Sequence, residues 1–141
     1  MCFFKKTPST IWVPTEYPLS VSQLYSLYTD TKDHVYMWDS QYYVLTLEDW
    51  QKVFKDVLTN MPKYLAEKLD CEDMAFICLT RIIEKYQING CGVAVGNSPM
   101  GYHGFNTFVA SENGEFKRHI LEPQNGIFDP MGYELETVIF G

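Results

Sequence analysis

The sequence is short of positive charge: 11 Lys and Arg stand against 18 Asp and Glu, a formal net charge of −7 over 141 residues. No basic cluster interrupts the excess of acid, so phosphate-neutralising contacts are scarce and nucleic acid is not an expected partner. Long apolar runs are missing as well. The best, from Met74 to Leu79, falls far short of the ~20 residues that cross a bilayer, and no membrane partner is expected. The start, Met1-Cys2-Phe3-Phe4-Lys5-Lys6, is followed by no apolar stretch of signal length, so the expected location is cytoplasmic. Cysteine and histidine are few. Cys2, Cys71, Cys78 and Cys91, with His34, His103 and His119, lack a zinc-ligand spacing. On one helix Cys71 and Cys78 would lie about 10 Å apart, too far for a disulfide, which points to free thiols in a reducing compartment.

What the chain does have is apolar mass, 46% hydrophobic and 16% aromatic residues, enough for a packed core and against global disorder. The length suits a single domain over residues 1–141. Pro14 and Pro18 frame an extended N-terminal arm, and Val21, Leu24, Leu27 and Tyr28 suit a short amphipathic helix opened by Ser20 or Ser22. The segments His34–Trp38 and Gln41–Leu45 read as a small hairpin or an irregular aromatic stretch. Thr46-Leu47-Glu48-Asp49 has the pattern of a capping box, and Trp50, Val53, Phe54, Val57 and Leu58 continue at helical spacing until Pro62.

A second capped helix is predicted from Asp70-Cys71-Glu72-Asp73 to Tyr86, with Asn89-Gly90 as a left-handed exit. Strand-like segments follow at Cys91–Val95, Tyr102–Ala110, Glu115–Leu121 and Tyr133–Phe140, separated by turn signals of hairpin length. Helices first and antiparallel strands afterwards imply an α+β fold.

Three residues in this layout have the types and order of a cysteine hydrolase site. Cys71 sits at a helix N-terminus, where free N–H groups favour a thiolate and can stabilise an oxyanion. Asp70, Glu72 and Asp73 oppose this by surrounding the thiol with negative charge. His103 begins one strand and Glu122 ends the next, so pairing around Asn113-Gly114 makes them cross-strand neighbours, an imidazole and its orienter. Each has a plainer reading: Cys71 as a small buried hydrophobe, His103 as a satisfied interior group, Glu122 as a strand end. Cys78 and Cys91 read as core thiols, His34 and His119 carry no assigned role, and Trp12, Trp38 and Trp50 read as core or cleft walls.

The ordered motifs Asp70-Cys71-Glu72-Asp73-Met74-Ala75, Gly101-Tyr102-His103-Gly104-Phe105-Asn106 and Leu121-Glu122-Pro123-Gln124-Asn125-Gly126, with Tyr36, Asp39, Tyr42 and Trp50 upstream, resemble a family. It is the papain-like cysteine peptidase domain found at the C-terminus of the Marasmius oreades agglutinin and in small bacterial and phage domains. The resemblance covers roughly residues 34–126, leaving 1–33 as arm and helix and 127–141 as a C-terminal strand.

It implies a papain-like fold, with a central helix starting at the cysteine and packed on a C-terminal antiparallel sheet. It also implies a triad of Cys71 as nucleophile, His103 as general base and acid, and Glu122 as orienter. The expected function is then a cysteine peptidase or amidase acting on a protein or peptide through an acyl-enzyme. The alternatives are a transglutaminase-like acyl transferase with the same triad, or a non-enzymatic phage or host-interaction protein on that scaffold. The family also admits calcium, although helix capping accounts for Asp70, Glu72 and Asp73. The oxyanion Gln of papain-like enzymes has no counterpart in Met61–Leu69, leaving Tyr64 or Gln124 as substitutes.

Overall fold

The computed structural model describes residues 12–141; the chain start and Cys2 lie outside them. The architecture is α+β: eight strands join in one mixed sheet, with three helices among the described residues. The strands are β1 (Tyr17–Ser20), β2 (His34–Met37), β3 (Gln41–Thr46), β4 (Cys91–Ser98), β5 (Gly101–Glu112), β6 (Glu115–Glu122), β7 (Ile127–Phe128) and β8 (Thr137–Phe140). The helices are α1 (Val21–Ser26), α2 (Leu47–Val57) and α3 (Cys71–Tyr86). No helix is long and apolar enough to cross a membrane.

Each helix starts where its cap chemistry dictates. Ser20 accepts from Gln23 N–H, and the Gln23 side chain accepts from Ser20 N–H, closing a capping box. Thr46 Oγ1 accepts from Asp49 N–H at 3.1 Å, and Asp73 Oδ2 accepts from Asp70 N–H at 3.2 Å ahead of α3.

The helix ends are less local. Helix α2 stops at Val57 rather than at Pro62, because the Arg81 guanidinium of α3 donates to the carbonyls of Val57, Thr59 and Asn60. Those carbonyls have no partner within the helix, and a cation there also complements the helix dipole. Helix α3 leaves through Gln87, with φ of 56°, rather than through Asn89-Gly90. Asn89 instead ties the exit to β3 by accepting from Tyr43 N–H and donating to Gln41 O. Gly90 follows because a Cβ there would lie 2.5 Å from Tyr43 O.

The sheet departs from the expected hairpin series in its N-terminal half. Strands β4, β5 and β6 do form an antiparallel meander. Segments 34–37 and 41–46, however, do not pair with each other: β2 runs parallel to β8, and β3 runs antiparallel to β1 and parallel to β5. The sheet is therefore neither purely antiparallel nor confined to the C-terminal half, and the arm framed by Pro14 and Pro18 supplies its edge strand β1. Pro18 is tolerated there because an edge strand can lack a ladder donor.

Two cores form, one on each face of the sheet, and β5 alternates between them. Phe108 and Ala110 join Trp50, Phe54, Ala75, Cys78 and Ile82 under α2 and α3. Phe105 and Val109 join Leu24, Tyr28, Tyr42, Val138 and Phe140 on the other face. Trp50 is fully buried and donates its indole N–H to Val109 O, whereas Trp38 is 73% exposed and is no core wall. Cys78 and Cys91 are core thiols.

Close packing and a half-buried imidazole fix two further junctions. At Gly104, where α3 touches β5, an added Cβ would lie 2.6 Å from the Glu72 Cα. Farther along, His119 presents Nε2 to Glu112 and Nδ1 to Asp129, both at 2.7 Å, which holds the segment after β7 against β6. Burial would lower the His119 pKa, but Asp129 and Glu112 outweigh it and raise the group above its ordinary value.

Gly104→Ala is expected to destabilise the fold by about 2 kcal/mol, as overpacking against backbone does; urea unfolding would read this as a lower midpoint, and an unchanged midpoint would mean that α3 slides freely on β5. For His119, a raised folded pKa contributes stability below the unfolded value of ~6.5 that is lost as pH rises through the folded value. The stability gap between wild type and His119→Gln should therefore narrow from pH 6 to pH 9, and a gap independent of pH would show that the imidazole stays neutral.

Candidate functional site

The predicted residues do converge, because the contact of α3 with β5 brings their segments to one end of the sheet. Cys71 is the first residue of α3. Its Sγ accepts from Gly104 N–H at 3.2 Å and donates to Glu72 Oε2 at 3.3 Å. His103 is buried and its Nε2 meets Glu122 Oε2 at 2.6 Å, so β5 and β6 bring imidazole and carboxylate together.

The cysteine and histidine are not coupled in the same way. Neighbouring residues on a strand face opposite sides. Gly104 faces α3, and His103, one residue earlier, packs with Phe105 and edge-on against Tyr133. Among the described residues no hydrogen bond joins Cys71 to His103; both of the thiol's hydrogen bonds are with Glu72 and Gly104.

Electrostatics keep that thiol neutral. Burial raises the Cys71 pKa above its ordinary value, the Gly104 N–H pulls it down, and Glu72 pushes it up again, for a net rise. A hydrogen bond to a carboxylate favours the protonated thiol, the reverse of a thiolate held by an imidazolium.

Glu122 is the most densely bonded side chain of the group. It is 2% exposed, and Oε2 accepts from both His103 Nε2 and the Tyr133 hydroxyl, the latter at 2.7 Å. Oε1 accepts from Gln124 N–H at 3.1 Å. Burial and the bond to Glu122 raise the Tyr133 pKa, so the phenol remains a donor.

The sequence places Glu72 among the acids that oppose a thiolate at Cys71, and it is the one that bonds the thiol. Two other partners were missed: Tyr133 reads as a strand residue and Gly104 only as part of a motif, and nothing local signals Tyr133, which reaches Glu122 from a separate loop. Of the suggested oxyanion donors, Tyr64 is exposed and Gln124 uses its backbone N–H on Glu122.

Asp70, Cys71 and Glu72 bring one ligand atom each within 4.8 Å of one another. Two carboxylates supply only part of the roughly six to eight oxygens that calcium takes, and a thiol is no ligand for so hard an ion. Asp73 is committed to the Asp70 N–H.

No family model and no curated protein matches the chain. Solved structures do. A PSL1a–E64 complex shares 25% identity at a TM-score of 0.66 over 87% of this chain and 51% of its own. Polyporus squamosus lectin, bound to the human-type influenza-binding epitope Neu5Acα2-6Galβ1-4GlcNAc, shares 25% identity at a TM-score of 0.67 over 87% of this chain and 49% of its own. The chain thus spans about half the length of the structures it matches.

These neighbours are chains of a lectin. That finding overturns the resemblance to papain-like peptidases, the cysteine hydrolase and acyl transferase readings, and the protein or peptide substrate.

Glu72→Gln should lower the Cys71 pKa, because it removes the charge and the acceptor that favour the protonated thiol. Iodoacetamide labelling of Cys71 followed by mass spectrometry should then become several-fold faster at pH 7 than in wild type, while an unchanged rate would mean that Glu72 does not govern the thiol.

Proposed function

We propose that the chain is a non-enzymatic binding domain whose ligand is a glycan. The observation that carries this reading is the likeness to Polyporus squamosus lectin over 87% of the chain. The Glu72-bonded thiol supports it, since burial and the Glu72 carboxylate outweigh the Gly104 N–H and favour the protonated form. The sugar named for the neighbour belongs to a chain about twice as long, so for this chain a glycan ligand is a proposal.

In this reading Cys71, His103 and Glu122 are positioning residues. Glu122 gathers β5 through His103, the loop before β8 through Tyr133, and the turn after β6 through Gln124. A buried carboxylate with three donors is a stable anchor, and losing it would leave those donors unpaired at about 1–3 kcal/mol each. The lock between Cys71 and Gly104 does the same for the start of α3.

Titration of the full chain with Neu5Acα2-6Galβ1-4GlcNAc by isothermal calorimetry is expected to give saturable binding that Cys71→Ala leaves unchanged, with no turnover of a peptide library. Absence of binding, together with Cys71-dependent peptide cleavage or covalent capture of E64 at Cys71, would overturn the proposal.

A further inference from the structure

We infer that the open edge of β2 docks an extended segment rich in Arg and Lys, which joins the sheet as a further strand. β2 ends the sheet: β8 pairs with one side of it, and no strand pairs with the other among the described residues. The parallel register, with His34 N–H donating to Glu136 O, turns the backbone groups of His34 and Tyr36 towards β8. By alternation the N–H and C=O groups of Val35 and Met37 face outwards. An added strand pairs with groups of this kind, the mode by which sheet edges take up extended peptides.

The same alternation sorts the side chains. Val35 and Met37 pack against the core that holds Tyr28 and Phe140, whereas His34 and Tyr36 point the other way and are exposed. Those two rings stack with centroids 5.6 Å apart and planes 14° from parallel. Trp38, which follows the strand, is 73% exposed. Tyr36 is in register with half-buried Ile139, so the row of rings continues onto β8 as an apolar shelf. An open edge and a row of exposed aromatics thus coincide on four residues of strand and the one after it, which gives Trp38 a part that the core does not.

Charge selects the occupant. Asp33 and Asp39 bracket the strand. The partner of Asp33 is the His34 imidazole at 2.8 Å, and that of Asp39 is the Asn89 amide at 2.8 Å. Lys32, the nearest lysine or arginine in sequence, is taken by Glu134 at 2.6 Å. On an added strand, alternate side chains stand opposite the aromatic row. Arg or Lys there sets its cation over Tyr36 or Trp38, with a carboxylate at each end of the strand.

A second copy of this chain is a poor occupant. Antiparallel pairing of β2 with itself, in the register that sets Val35 opposite Met37, places Asp33 of one chain opposite Asp39 of the other, and like charges directly opposite are destabilising. The segment is held as a partner and not cleaved, and the inference does not depend on the glycan-binding reading.

The test titrates the full chain with three labelled peptides: Thr-Arg-Val-Arg-Val-Arg-Thr, the same sequence with Glu in place of Arg, and the Arg peptide N-methylated at every interior residue. Anisotropy reads binding, and amide hydrogen exchange by NMR reads the ladder. The Arg peptide should bind and slow exchange at Val35 and Met37, while the other two should bind about tenfold more weakly, the scale of two exposed cation–π contacts or of one backbone hydrogen bond. Trp38→Ala should weaken the Arg peptide about threefold, and Tyr25→Ala, which removes an exposed ring on α1, should not. No binding of the Arg peptide, equal binding of the Glu or N-methylated peptide, or unchanged exchange at Val35 and Met37 would overturn the inference. Binding of Galβ1-4GlcNAc that Trp38→Ala abolishes, with no peptide bound, would also overturn it and assign the aromatic row to a sugar.

Discussion

Strand β5 is buried on both faces, and two of its three interior polar side chains, Asn106 and Thr107, tie it to the layers on either side. Asn106 Nδ2 donates to Ala75 O in α3 and to Gly92 O in β4. Thr107 Oγ1 meets the Tyr28 hydroxyl at 2.6 Å and donates to His119 O. In a dry interior a lost partner costs about 1–3 kcal/mol, so these bonds act as specificity devices as well as contacts. They fix α3 against one face and Tyr28 against the other. With α3 fixed, glycine is the only residue type that fits at position 104 beneath Glu72, and the position of the Cys71 thiol is set in turn. The register of β6 on β5 then places Glu122 beside His103.

The charges around this end of the sheet favour a protonated thiol. A thiolate needs a nearby cation or several donors. Cys71 has one donor, the Gly104 N–H, and faces the Glu72 carboxylate. The imidazole holds Glu122 at Nε2 and packs its ring against Phe105 and Tyr133. Three residues with the right chemistry can thus be neighbours in space and still be held by separate partners. Glu122 has an architectural part, since one carboxylate joins His103 in β5, Tyr133 in the loop before β8 and the turn that directly follows it.

Signals that act within a few residues were legible in the sequence. Ser20, Thr46 and Asp70 mark the helix starts because a cap is a contact across three positions. The meander from β4 to β6 was readable because short turns leave little choice of partner. The encounter of His103 with Glu122 followed from that meander alone. Illegible features all depended on distant chain. The parallel pairings of β2 with β8 and of β3 with β5 have no turn to announce them. The early end of α2 depends on Arg81 in another helix. The thiol's preference for Glu72 over His103 depends on which face of β5 meets α3, a tertiary fact that spacing does not carry.

Charge in this chain follows the same logic of internal commitment. The net charge is −7, yet several acids are held by partners within the fold: Asp30 by Arg118, Asp56 by Lys85 and Tyr86, Glu112 and Asp129 by His119, and Glu122 by His103 and Tyr133. At physiological ionic strength exposed charges are screened beyond about 8 Å, so an approaching group responds to its nearest neighbours rather than to the net charge. A surface built in this way carries local patches whose sign is set by which acids the fold has paired, and not by the excess of acid over base in the sequence.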